Sequence, residues 1–165
     1  MPCLDCDGLR RGFTLLEIII AIFVVSLIIG ISVPVVSGIY LEEQLRVTTR
    51  ALEEYCVRAR TMATSEQKTY AIVFNPRGFD LVEAKEDLEG DLDPIMTHYW
   101  AKDALCELMI WPEKQWKKVA RHVVYFYPEG LSTPFRFRIQ IGEGIIEQIY
   151  HPLTGRVVDE SYALP

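Results

Sequence analysis

The groups best placed to do chemistry in this 165-residue chain stand together near its start, in the run Arg10-Arg11-Gly12-Phe13-Thr14-Leu15-Leu16-Glu17. Gly12 is small and precedes an aromatic residue, and the Glu17 carboxylate stands in sequence that is otherwise uncharged and apolar as far as Val36. Residues 13–36 would extend about 36 Å as a helix, against about 30 Å for the hydrocarbon core of a bilayer, so they read as a membrane span. An ionised carboxylate inside such a span costs about 2.5–3.5 kcal/mol at its centre and calls for a partner. No other residue of the stretch can supply one. Cutting the chain between Gly12 and Phe13 would create an α-amino group close to Glu17 in sequence and at comparable depth, and that cation is the expected counter-ion. If such a cut is made, the chemistry open to these groups is neutralisation of the carboxylate by the new amine. Arg10 and Arg11, with no lysine or arginine again until Arg46, place the amino terminus in the cytoplasm and the bulk of the chain across the membrane.

Other reactive side chains form no comparable set. Cys3 and Cys6 make a C-x-x-C before the cut, but a zinc site needs four ligands and no second pair follows at suitable spacing. Cys56 and Cys106 read as two buried thiols in a compartment where disulfides can form. Asp87, Glu89, Asp91 and Asp93 flank Gly90, yet they lack the glycine and glutamate spacing of a calcium loop and read as a solvated segment. His98, His122 and His151 lie far apart, and no GxSxG, HExxH or phosphate-binding loop is present, so no enzymatic activity, cofactor or metal is expected. Trp111, Lys114, Trp116, Lys117, Lys118 and Arg121 interleave aromatics with cations, a combination able to stack bases and neutralise phosphates. A net charge of −6 argues against a general polyanion surface, and the same residues read as a polar connecting loop whose tryptophans dip into the core. DNA is not an expected partner.

Positioning these groups falls to a helix and a set of strands. Leu45, Thr49, Leu52, Cys56, Ala59 and Ala63 recur at three- and four-residue steps, which predicts an amphipathic helix continuing from the span over residues 37–66. Pro34, which cannot donate to Gly30, predicts a kink or loosened turn between them. Beyond Ser65 the period becomes strand-like. Residues 69–74 and 79–83 flank Asn75-Pro76-Arg77-Gly78 and predict a hairpin. Strands are further expected over residues 121–127, over 135–141 with both phenylalanines and both isoleucines on one face, and over 145–150 and 156–158, joined by turns at Gly142-Glu143-Gly144 and Pro152-Leu153-Thr154-Gly155.

The junction Arg11-Gly12-Phe13-Thr14-Leu15-Leu16-Glu17 closely resembles the class III signal of type IV prepilins and type II secretion pseudopilins. The resemblance implies that a prepilin peptidase cuts after Gly12 and N-methylates Phe13, and that Glu17 aligns each subunit with the amine of a neighbour during filament assembly. It implies an α+β pilin-like fold: a leader at 1–12, a transmembrane and filament-core helix at 13–36, an amphipathic continuation at 37–66, and an antiparallel β-rich periplasmic head at 67–165. The hairpin around Phe74-Asn75-Pro76-Arg77-Gly78 and the closing Thr154-Gly155-Arg156-Val157 look like the GspH/FimT-type minor pseudopilins. No cysteine follows Cys106, unlike the carboxy-terminal loop of major pilins, and no counterpart of the major pseudopilins' calcium loop is evident. The expectation is a minor pseudopilin in a type II secretion pseudopilus, with a FimT-like minor pilin of pilus biogenesis or DNA uptake as the alternative. The implied partners are the peptidase, other pilins or pseudopilins, the inner-membrane assembly platform and membrane lipid.

Overall fold

Apolar side chains spaced at three and four residues leave a helix with one face that must be covered, and in this protein two small sheets cover it. A computed structural model describes residues 14–85 and 93–163, without the side chains of 30–41. Helix α1 runs over Leu15–Glu66 and stays helical through Gly30 and Pro34. The strands follow as β1 (Tyr70–Asn75), β2 (Gly78–Glu83), β3 (Met96–Tyr99), β4 (Leu105–Ile110), β5 (Lys117–Lys118), β6 (His122–Phe126), β7 (Phe135–Ile141), β8 (Gly144–Tyr150) and β9 (Val157–Ala163). They form two antiparallel sheets, ordered β3-β2-β1-β6 and β5-β4-β7-β8-β9. The fold is α+β, as expected. The chain divides into two compact units, residues 1–38 and residues 39–165.

In the second unit, the expected helix face is the buried one: Leu45, Thr49, Leu52, Cys56, Ala59 and Ala63 are all inside. They share a single core with Tyr70, Ile72 and Phe74 of β1, Phe79 and Leu81 of β2, and Phe135, Phe137, Ile139 and Ile141 of β7. Strand β7 alternates as its sequence demands, with Arg136, Arg138 and Gln140 on the opposite face. There Arg138 bridges Glu107 at 3.4 Å and Glu147 at 3.0 Å, which ties β4, β7 and β8 together on their outer side.

Three glycines serve different ends. The β1–β2 hairpin closes with Asn75 opposite Gly78, and Asn75 Oδ1 accepts a 2.9 Å bond from the Arg77 amide. Gly78 is required less by that turn than by β3: a Cβ there would sit 1.9 Å from the His98 carbonyl oxygen. Gly142 opens the β7–β8 turn at φ +56°, the positive value that a two-residue hairpin turn takes at its first central position. Gly155, at φ +67°, brings the loop before β9 so near α1 that a Cβ would lie 3.0 Å from the Cys56 carbonyl oxygen. That loop is fastened by the Val157 amide donating to Glu53 Oε1 at 3.3 Å.

The sequence did not foretell β3, β4 or β5, and it placed β9 over residues 156–158 where the strand runs Val157–Ala163. In β4, Cys106 and Leu108 face the core, but Leu105, Met109 and Ile110 are also apolar, which blurs the two-residue period.

Candidate functional site

The amino-terminal helix begins on a cap. Thr14 accepts at its carbonyl oxygen from the Glu17 amide (3.0 Å) and the Ile18 amide (3.3 Å), while its Oγ1 lies 3.3 Å from the Glu17 amide. Thr14-Leu15-Leu16-Glu17 is thus a T-x-x-E start, with Glu17 in the first turn where a carboxylate also favours the helix dipole. The spacing was legible in the sequence, although only the carboxylate had been singled out. Gly12 and Phe13 lie outside the described residues.

From Thr14 to Ile29 no side chain is buried. Every large apolar group there is exposed, from 46% at Val24 to 77% at Leu15. A helix that is apolar on all sides has no single core face and needs an apolar surrounding on all of them. Glu17 is the acidic residue in this surface. Among the described residues no helix is long and apolar enough to cross a membrane. The expected span at 13–36 also draws on residues 13 and 30–36, whose side chains lie outside the described set.

The remaining candidates are dispersed over the head. Cys56 and Cys106 are buried and unbridged. Burial drives the Cys56 thiol well above its ordinary pKa and pushes that of Cys106 up to about 12, so neither is poised as a nucleophile. Asp87, Glu89 and Asp91 lie outside the described residues, and Asp93 is exposed. Among the described residues no group of three potential metal ligands comes together. His122 and His151 serve local structure, His122 Nε2 lying 3.4 Å from the Lys118 carbonyl oxygen and His151 Nδ1 accepting from the Leu153 amide at 3.1 Å.

The tryptophans do not dip into the core. Trp111 is 70% exposed, and Trp116 lies over the Arg138 guanidinium at 4.0 Å on the outer side of the second sheet. The tryptophan that packs against the core is Trp100, half-buried, stacked on Phe74 and Phe137 and donating through Nε1 to the Asn75 carbonyl at 3.0 Å. Arg136 joins Trp111 and Lys114 around one cleft, a grouping that the sequence reading missed because Arg136 was read only as the polar face of β7.

His98 stacks on Phe79 at 4.9 Å, and its Nε2 is buried with no hydrogen-bond partner among the described residues. Desolvation holds its pKa below the ordinary 6.5. As pH falls through about 6.5 the unfolded chain takes up this proton before the folded one does, so the stability that His98 contributes is complete above that pH and declines below it. Urea unfolding should therefore show a midpoint that drops between pH 7 and 5, and His98→Phe should flatten that drop.

Comparison with known families adds one match: residues 9–33 fit the model of the prokaryotic N-terminal methylation motif. That motif points to type IV pilin-like proteins in general, and with them to peptidase processing and assembly with other pilins. No curated protein and no solved structure matches the chain.

Proposed function

We propose that this chain is a structural subunit of a pilin-like filament, more specifically a minor pseudopilin of a type II secretion system, cut after Gly12 and N-methylated on Phe13. The observation that carries the reading is the coincidence of the motif at residues 9–33 with a helical stretch, residues 15–29, whose apolar side chains are exposed on every side and whose one carboxylate is Glu17. Such a surface suits lipid before assembly and the helices of neighbouring subunits afterwards. In that sequence of events the chain crosses the inner membrane once, with its amino terminus cytoplasmic and its head periplasmic, and is then withdrawn into the filament. It acts as the peptidase's substrate and catalyses nothing itself. The GspH-type assignment is supported by the β1–β2 hairpin and by the docking of the Thr154-Gly155-Arg156-Val157 segment on α1.

In the filament, the amine of one Phe13 and the Glu17 carboxylate of a neighbour neutralise one another at a depth where either alone would be costly. Glu17→Val removes the acid from the apolar surface, so membrane insertion and cleavage should proceed undiminished while incorporation into filaments is lost. Fractionation separates these stages: the variant should be found in the membrane and be missing from sheared filaments. Incorporation at the wild-type level would defeat the charge-pair role.

A further inference from the structure

The edge strands of the two sheets are β3 and β6 in the first and β5 and β9 in the second, and three of the four are protected. Strand β5 is only Lys117–Lys118, both exposed. Strand β9 carries Asp159 and Glu160. Along β6 the chain folds back on itself: the Thr133 amide donates to the Tyr125 carbonyl at 2.9 Å, the Tyr127 amide donates to the Leu131 carbonyl at 2.8 Å, and Phe126 bridges Ser132. Short length, charge and cover are the devices that keep a sheet edge from pairing with another chain. Strand β3, Met96-Thr97-His98-Tyr99, has no acidic residue, lysine or arginine, and among the described residues nothing pairs with the side of it turned away from β2. Its bonding to β2 runs on past both ends, from the Ile95 amide to the Leu81 carbonyl at 2.8 Å and from the Trp100 amide to the Arg77 carbonyl at 2.9 Å. Ile95, Thr97 and Tyr99 are exposed along it, Tyr99 at 70%.

Two grooves meet at this edge, and His98 and Tyr99 line both. The first lies against α1, is lined further by Val47, Thr48 and Ala101, and holds about 190 Å³; Val47 is 49% exposed there. That volume is below the roughly 300–1,000 Å³ usual for a small-molecule site, and it suits a single aliphatic side chain. The second, of about 470 Å³, lies at the β1–β2 turn and is lined by Arg77 and Asp80. Asp80 is already engaged, accepting from Asn75 Nδ2 at 2.8 Å and from Thr97 Oγ1 at 2.7 Å. Arg77 is exposed and has no ion-pair partner among the described residues. Successive side chains of a strand point to opposite faces, so a strand laid along β3 delivers neighbouring side chains to the two grooves.

We propose that β3 receives an extended segment of a second protein as an added strand, with an aliphatic side chain beside Val47 and, at the adjoining position, a carboxylate beside Arg77. In this mode main-chain hydrogen bonds supply affinity and the grooves for alternate side chains supply specificity. A second copy of β3 is a poor occupant, since it has no carboxylate to set beside Arg77 and its pairing would close a two-fold dimer. The source of the segment rests on the filament reading, which makes the donor an unlike subunit of the same assembly.

The probe is a blocked octapeptide of alternating valine and threonine with leucine–glutamate at its centre, added to the full-length protein in detergent. Amide hydrogen exchange should slow over residues 95–100 and stay unchanged in β5 and β9. Methylating the backbone nitrogens of the peptide should abolish that protection, because an added strand is held by its main chain. A twin peptide with leucine–lysine at its centre should bind about fivefold more weakly, the effect of one exposed ion pair. Arg77→Glu changes an exposed side chain in a turn, so the variant should fold and reverse the preference. No protection of β3 by the glutamate peptide, protection that survives methylation, or a preference unmoved by Arg77→Glu overturns the proposal. So does a two-chain mass for the protein alone with β3 already protected, which would assign the edge to a second copy. Cleavage after Gly12, scored by mass in membranes from the producing cells, reports on the filament reading and is independent of all these outcomes, so the two failures are distinguishable.

Discussion

Gly12→Val is expected to leave the chain as a full-length precursor in the membrane. The proposed cut falls between a residue without a side chain and an aromatic one, and a branched Cβ on the leaving side would crowd the backbone that a peptidase must grip. Two readouts follow from the sequence itself. The mature chain should be lighter by residues 1–12 and heavier by one methyl group on Phe13. Thiols counted after denaturation should number four in the precursor and two in the mature chain, since Cys3 and Cys6 leave with the leader while Cys56 and Cys106 remain. Normal maturation of the variant would remove the premise of the proposed function. A precursor that accumulates uncut in the membrane would support the premise, and it should also be excluded from filaments, because no amine is then available to meet Glu17.

Gly78→Ala should be the most damaging single-methyl change in the head. Its Cβ would fall 1.9 Å from the His98 carbonyl oxygen, and that atom belongs to the backbone of β3, so no rotamer change can relieve the clash. Either β3 leaves β2 or the hairpin distorts. Overpacking costs about 1–3 kcal/mol, and the upper end applies where backbone must move. Gly142→Ala supplies the contrast. Nothing lies within 4 Å of a Cβ there, and the penalty is the positive φ of +56° alone, about 1 kcal/mol. Urea unfolding followed at the tryptophans should show the larger midpoint shift for Gly78→Ala. Equal shifts at the two positions would mean that β3 does not pass as close to β2 as the structure places it.

These glycines also show where sequence reasoning reaches its limit. The hairpin and its turn were legible, because Asn75-Pro76-Arg77-Gly78 is local chemistry between two apolar runs. The reason Gly78 must be glycine was not, since it depends on a carbonyl twenty residues later in the chain. The buried stripe from Leu45 to Ala63 and the alternation of β7 could be read directly, as both follow from a single element's periodicity against one core. Strand β3 escaped notice because it is a short edge whose half-buried pattern depends on β2. The tryptophans misled for a related reason: a large aromatic in an apolar neighbourhood suggests the core, yet it is Trp100 that packs against the core, and Trp116 lies over Arg138, a partner from a strand that comes later in the chain. The amino-terminal signal was the most legible feature, since its Gly-Phe junction, carboxylate and apolar run depend on no distant partner.

The bond between the Val157 amide and Glu53, like the seat of Gly155 against Cys56, joins residues about a hundred positions apart. A chain delivered amino terminus first therefore presents the stripe from Leu45 to Ala63 to its surroundings well before the strands that cover it exist. During that interval the head half of the helix is a sticky, unfinished surface. A chain ending before Gly155 would lack the fastening of the last loop to the helix at Cys56 and Glu53. Chains truncated before that point should therefore be cut by protease faster than the full-length chain.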